Sequence, residues 1–137
     1  MHTSTHLHFK GNCREAFDFY ARTFGGKIAF AMTYGESPAA AETAPQVRNQ
    51  IIHARLDLGD RQLYGCDAPP ERYHTPQGFN VLASVEKPED AERFFNALAD
   101  NGSVTMPFQK TFWAQGFGMC TDRFGIPWMI NCEQPPR

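Results

Sequence analysis

The sequence predicts an α+β protein made of two β-α-β-β-β modules in tandem, a mixed sheet curling into a half-barrel with its helices outside. Three observations carry that expectation. A strand, an amphipathic helix and several further strands occur in that order twice, over about residues 1–67 and 78–133. Both helical stretches keep a 3.6-residue apolar stripe and end at glycine. The segments between them alternate apolar and polar residues or break at glycine, as half-buried strands do. Residue identity between the halves is low, so the repeat is one of pattern.

Thr5-His6-Leu7-His8-Phe9 has the period of a strand with two unlike faces. Gly11-Asn12 breaks it, and Asn12 with Glu15 reads as an N-cap and its capping-box partner. The first helix places Ala16, Phe17, Tyr20, Ala21 and Phe24 on one stripe and closes at Gly25-Gly26. Lys27 to Tyr34 reads as a short strand. Gly35 to Gln50, rich in Ala, Pro, Glu and Ser, has no periodicity and reads as a mobile excursion.

Ile51 to Leu58 and Arg61 to Cys66 form a hairpin about Gly59-Asp60. Along it Ala54, Leu56 and Leu58 share one face, and His53, Arg55 and Asp57 the other. A connector with Pro69, Pro70 and Pro76 leads to a strand at Phe79 to Val85. Pro88 suits the first position of the second helix, whose stripe is Ala91, Phe94, Phe95 and Leu98 and whose cap is Asn101-Gly102. Strands at Val104 to Phe108, Thr111 to Thr121 and Pro127 to Cys132 follow, and the tail from Glu133 to Arg137 reads as frayed.

The densest stretch runs from Lys110 to Asn131. Its strands meet at an Asp122-Arg123-Phe124-Gly125 turn, where Asp bonds the backbone ahead of it and Gly closes the turn. Gly116 and Gly118 read as a bulge or a close ligand approach. Phe112, Trp113, Phe117, Met119, Trp128 and Met129 then read either as the wall of an aromatic pocket or as plain core.

Composition narrows the classes. The 137 residues are 42% hydrophobic and 13% aromatic, which excludes global disorder. A net charge of −2 without a basic run gives no reason to expect nucleic acid or an anionic membrane as partner. No apolar run approaches the ~20 residues of a membrane span, and the start lacks the pattern of a signal peptide. The expectation is a cytoplasmic protein. Cys13, Cys66, Cys120 and Cys132 contain no C-x-x-C pair and read as free thiols.

T-F-W-A-Q-G-F-G-M-C-T-D-R-F-G-I-P-W-M-I-N, with the opening F-K-G-N-C-R-E-A-F-D-F-Y and the hairpin H-A-R-L-D-L-G-D, resembles the PhnB-like family of the glyoxalase/bleomycin-resistance/dioxygenase (vicinal oxygen chelate) superfamily. The resemblance covers nearly the whole chain and implies about eight strands in paired modules, and a homodimer. It also implies a divalent metal bound by His and Glu on the first and last strand of each module, which stabilises charge developing on substrate oxygens. Counted from the helix-end F-Y pair, the ligand position on the first strand falls on Thr5, or on His6 if the register slips. The other two positions fall on Asn80 and Met129. Thr, Asn and Met do not make a site for zinc, iron or manganese.

The expectation is therefore no metal and no cofactor, with a divalent ion disfavoured. His6 and His8 could still share an ion from one strand face, with Cys66, Glu133 or Asp57 as third donor. His53 reads either as a general base facing the pocket or as a structural histidine. Arg55, Tyr64 and Cys66 are candidates to line the same cavity. The leading expectation is a small-molecule-binding protein that works without the superfamily metal. The alternative is a metal-dependent lyase, isomerase or dioxygenase-like enzyme using His53 and an N-terminal histidine, and a role through a partner or dimer surface is a third. Some members of the family carry a methyltransferase label. The chain has no G-x-G-x-x-G, P-loop, G-x-S-x-G or H-E-x-x-H, so that label finds no support in its motifs.

Overall fold

Two compact units divide the chain, Met1–His74 and the remainder from Thr75. The computed structural model describes residues 1–133, so the tail from Gln134 onwards, expected to fray, lies outside the described residues.

In the first module β1 (Thr5–Phe9), α1 (Cys13–Phe24), β2 (Lys27–Thr33), β3 (Ile51–Leu58) and β4 (Arg61–Asp67) follow one another, and the strands order as β1-β4-β3-β2. β1 runs parallel to β4, while β4, β3 and β2 pair antiparallel. The strand-order expectation of a mixed sheet holds, and α1 covers one of its faces. Leu7, Phe9, Ala54, Leu56 and Leu63 are buried, as are Cys13, Ala16, Phe17, Phe19 and Tyr20 of α1. A Cβ on Gly65 would lie 2.7 Å from the Phe17 ring, so that glycine lets α1 seat closely on β4. Gly25 ends α1 in the left-handed conformation, as its position predicts.

The start of α1 differs from its prediction. Asn12 stands at the N-cap but makes no side-chain cap bond. The capping acceptor comes instead from the end of β4: Asp67 Oδ1 accepts from the backbone N–H of Gly11 and of Cys13, both at 2.9 Å. Its Oδ2 accepts from Ile51 N–H at 2.8 Å. A buried carboxylate must be matched by donors, and three amides plus the positive end of α1 match this one.

The 35–50 stretch, expected to be a mobile excursion, contains three short 3₁₀ turns, Tyr34–Glu36, Ala40–Glu42 and Pro45–Val47. Local polar chemistry builds them, since Thr33 and Glu36 form a capping box and the Ser37 hydroxyl donates to Tyr34 O. The segment leaves and returns as a ladder, with Tyr34 N–H donating to Gln50 O and Gly35 N–H to Arg48 O.

The second module repeats the plan with β5 (Val81–Ser84), α2 (Pro88–Ala99), β6 (Ser103–Gln109), β7 (Ala114–Thr121) and β8 (Pro127–Glu133), ordered β5-β8-β7-β6. β5 is parallel to β8, and the rest are antiparallel. β5 is shorter than the periodicity predicts, starting after Asn80. Pro88 opens α2 as expected, and Asn101 takes the left-handed conformation after it, φ 59°. Asp122 N–H donates to Ile126 O and Gly125 N–H to Asp122 O, which closes the predicted turn. The buried Asp122 carboxylate accepts from Phe124 N–H, Ile126 N–H and Trp128 Nε1–H at 2.8, 3.0 and 2.9 Å.

Each module is thus an unclosed four-stranded mixed sheet with one helix on one face, and α+β is its class. Replacing Asp67 with Ala strands three backbone donors at once, each costing about 1–3 kcal/mol if left unpaired. The variant should lose at least about 3 kcal/mol of stability in urea unfolding; a change below about 1 kcal/mol would show that the carboxylate is not the anchor.

Candidate functional site

Strand alternation gives the first module's sheet an open face away from α1. In β1, Leu7 and Phe9 turn inward and His6 and His8 outward. The parallel register sets His6 beside Tyr64 and His8 beside Cys66. Next door, the antiparallel pairing sets Arg55 beside Tyr64, and β2 contributes Phe30 opposite Arg55 and Met32 opposite His53. The face therefore collects His6, His8, His53, Arg55, Tyr64 and Cys66. The sequence singles out all six, His53, Arg55, Tyr64 and Cys66 as residues of a cavity and His6 and His8 as candidate donors to an ion.

The rings on this face are within stacking reach. His53 lies 5.7 Å from Tyr64, 5.9 Å from Phe30 and 6.3 Å from His6, centroid to centroid, and His6 lies 4.8 Å from His8. Such separations suit offset or tilted aromatic contact. Arg55 Nε donates to Asp57 Oδ1 at 3.0 Å, along the same strand face. Half-exposed, that pair orients the guanidinium more than it stabilises the fold.

Two groups on the face carry shifted acidity. His6 is lowered below the ordinary histidine value, first by partial burial of its ring and then by the neighbouring His8 and His53, which oppose another positive charge. Burial, followed by the Asp67 carboxylate next in sequence, pushes the Cys66 thiol up. His8 Nδ1 stands 3.5 Å from Cys66 Sγ. Tyr34 borders this corner, its hydroxyl donating to Asp67 O at 2.8 Å.

The second module's candidates divide. Phe112, Trp113 and Phe117 form a ladder with centroid separations of 4.8 and 5.4 Å, and Phe112 is 93% exposed. Met119 pairs directly with Met129 on the face away from α2. Trp128 does not join them. It is 1% exposed, and alternation sends it with Ile130 and Cys132 to the α2 side, where Asp122 holds its indole N–H. Trp128 is a core residue, a correction to the expected aromatic wall. The register shifts between Ala114 and Gly116, the irregularity expected there, and both glycines also serve packing: a Cβ on Gly118 would lie 2.6 Å from the Phe95 ring, and one on Gly116 would collide with Phe108.

The metal positions implied by the superfamily do not fit a metal here. Thr5 falls on the same side of β1 as the buried Leu7 and Phe9, Asn80 precedes β5, and Met129 offers a thioether. The residue that opens onto the face is His6, one place along from Thr5. Among the described residues, His6, His8 and Cys66 form a separate group whose donor atoms lie within 4.8 Å of one another. The sequence offers Cys66 as one of three candidate third donors beside His6 and His8, and the parallel β1–β4 register is what selects it.

A strand–helix–three-strand module used twice is the architecture of the glyoxalase/bleomycin-resistance/dioxygenase proteins. A structure of that class, a domain from Frankia sp. EAN1pec, matches at a TM-score of 0.65 and 13% identity, covering 100% of this chain and 94% of its own, a likeness of fold alone. The family described as 3-demethylubiquinone-9 3-methyltransferase matches residues 1–131. Protein YjdN of Escherichia coli (strain K12) is 35% identical over 145 residues, covering 98% of this chain and 99% of that protein. Protein PA1353 from Pseudomonas aeruginosa superposes with a TM-score of 0.90 at 44% identity, over 98% of this chain and 99% of its own. A putative 3-demethylubiquinone-9 3-methyltransferase, the PhnB protein from Bacillus cereus, gives 0.82 at 23% identity, covering 96% and 99%. The chain belongs to the PhnB-like family.

The lowered His6 value carries a sign. The folded chain resists protonating this imidazole, so as pH falls through the ordinary histidine value of about 6.5 the unfolded chain gains protons that the native state lacks, and stability falls. Histidine ring NMR should give His6 a midpoint below that of a free imidazole. His8→Ala should raise it; an unmoved His6 midpoint in that variant would contradict the coupling.

Proposed function

We propose that this protein binds a small molecule on the open face of the first module's sheet, without the metal that the superfamily uses. The observation that carries the reading is the gathering of His53, Tyr64 and Arg55 on one face, flanked by Phe30 and His6. Stacked rings next to a guanidinium and an imidazole suit a planar, oxygen-bearing molecule: the rings offer apolar area, and Arg55 and His53 offer donors to its oxygens. His53 is the group able to accept a proton from such a ligand, and Cys66 lines the same face. The exposed Phe112 and Trp113, backed by the buried Phe117 and near Met119 and Met129, are a second aromatic surface available to a ligand.

The homodimer implied by the family resemblance belongs to this reading too. Val104 and Met106 are exposed on the edge strand β6, apolar surface suited to a second subunit. Methyl transfer is not part of it. Each sheet has a single parallel strand pair, and the turn from β1 into α1 carries one glycine, Gly11, where a nucleotide-type cofactor normally needs a glycine-rich turn. No described helix is long and apolar enough to cross a membrane.

A ligand-observed NMR screen of a metabolite collection, run with chelator present, tests the proposal. It should yield hits whose affinity drops at least about tenfold in a His53→Ala/Tyr64→Ala double variant, the loss of about 1.4 kcal/mol expected of central contacts. A screen without hits, or hits indifferent to both side chains, would overturn it.

A further inference from the structure

The open face of the first module contains a second chemical feature, a group of metal-ligating side chains at its β1–β4 corner, of which His6 and Cys66 also border the proposed ligand surface. We propose that His6, His8 and Cys66 form a binding site for one thiophilic transition-metal ion, of the zinc or cobalt(II) type, held by two imidazoles and one thiolate. The donors lie wholly within the first module. His6 stands at or one place from the first-strand position that the resemblance implies, but the other two positions carry Asn80 and Met129, so His6, His8 and Cys66 are a different donor set from the superfamily's His and Glu.

Geometry is the first support. The three ligand atoms lie within 4.8 Å of one another. Around a tetrahedral ion, with bonds of about 2.0–2.3 Å, neighbouring donors sit about 3.3–3.6 Å apart. His8 Nδ1 and Cys66 Sγ are already at 3.5 Å. His6 is the donor that has to close in; the residue is exposed, and its ring already lies 4.8 Å from that of His8, centroid to centroid.

The second support is the rigidity beneath the donors. β1 and β4 are hydrogen-bonded neighbours in register, with His6 beside Tyr64 and His8 beside Cys66. Asp67, directly after Cys66, is locked by the amides of Gly11, Cys13 and Ile51. A site on paired strands holds its donors more reproducibly than one on loops.

Chemistry selects the ion. Two imidazoles and a thiolate favour zinc, cobalt(II) or copper over magnesium or calcium, which prefer oxygen. Three protein donors leave a tetrahedral ion one position for solvent or a ligand oxygen, the arrangement of open rather than structural zinc sites. Binding would displace the Cys66 thiol proton, so uptake of the ion would be pH-dependent and release a proton. The proposal is independent of the small-molecule reading. Arg55, Tyr64 and His53 need no ion to bind a ligand, and the ion needs no ligand to bind.

Cobalt(II) titration of the tag-free full-length chain, kept reduced with a non-thiol reductant, tests it. The expected result is saturation at one ion per chain with a thiolate-to-cobalt charge-transfer absorption, displaced by zinc. Cys66→Ser should abolish that absorption. His6→Ala and His8→Ala, at exposed positions that leave the fold intact by circular dichroism, should each weaken binding by at least about tenfold, since even outer-shell changes cost that much. His74→Ala, on the exposed connector, should behave as the parent. Absence of saturable uptake, an absorption that survives Cys66→Ser, or histidine variants that bind like the parent would each overturn the proposal.

Discussion

A buried carboxylate with three backbone donors organises the first module. Asp67 ends β4, yet its oxygens reach the residues on either side of the α1 N-cap and the first residue of β3. Removing a charge from water costs several kcal/mol unless donors replace the solvent, so the carboxylate and its three amides are stable only together. That mutual requirement fixes where α1 begins, where β3 enters the sheet and where β4 stops. It also fixes Cys66, the preceding residue, on the opposite face and next to His8.

The second module solves the same problem locally. Asp122 is also buried and gathers two amides, but they belong to its own turn, and its other oxygen accepts from the Trp128 indole six residues on. One module is therefore clamped by a contact between distant segments and the other by a turn. The difference shows on their open faces. The first displays imidazoles, a thiol, a phenol and a guanidinium, whereas the second displays methionines and the exposed Phe112 and Trp113 rings. Chemistry has collected on one module and apolar surface on the other.

How much of this could be read from the sequence follows from the range of each interaction. Both helices, the β3–β4 hairpin and the Asp122 turn depend on residues within a few positions of one another, and all are legible. Alternation also placed His53, Arg55 and Asp57 on one face correctly. The α1 cap was misassigned to Asn12 because its acceptor lies 54 residues away in sequence. The His8–Cys66 approach depends on a parallel register, which no local pattern encodes. Sequence alone leaves Trp128 between pocket wall and core, because aromatic content does not say which face of a strand is covered; the paired positions of β7, with Phe95 over Gly118, decide that it is buried. The Gly35–Gln50 stretch lacks periodicity, yet short-range Thr, Glu and Ser bonds shape it, as they do in turns.

The account rests on one carboxylate holding three segments and thereby the histidine–thiol face. Residue-resolved amide hydrogen exchange on the parent and on Asp67→Asn tests this most directly. In the parent the amides of Gly11, Cys13 and Ile51 should be protected to a similar degree, because they open only when the shared acceptor is released. In Asp67→Asn, which keeps the shape and loses the charge, all three should speed up together while the amides of Phe124 and Ile126 at the Asp122 turn stay unchanged. Three amides that exchange at unrelated rates in the parent, or that ignore the substitution, would contradict the account.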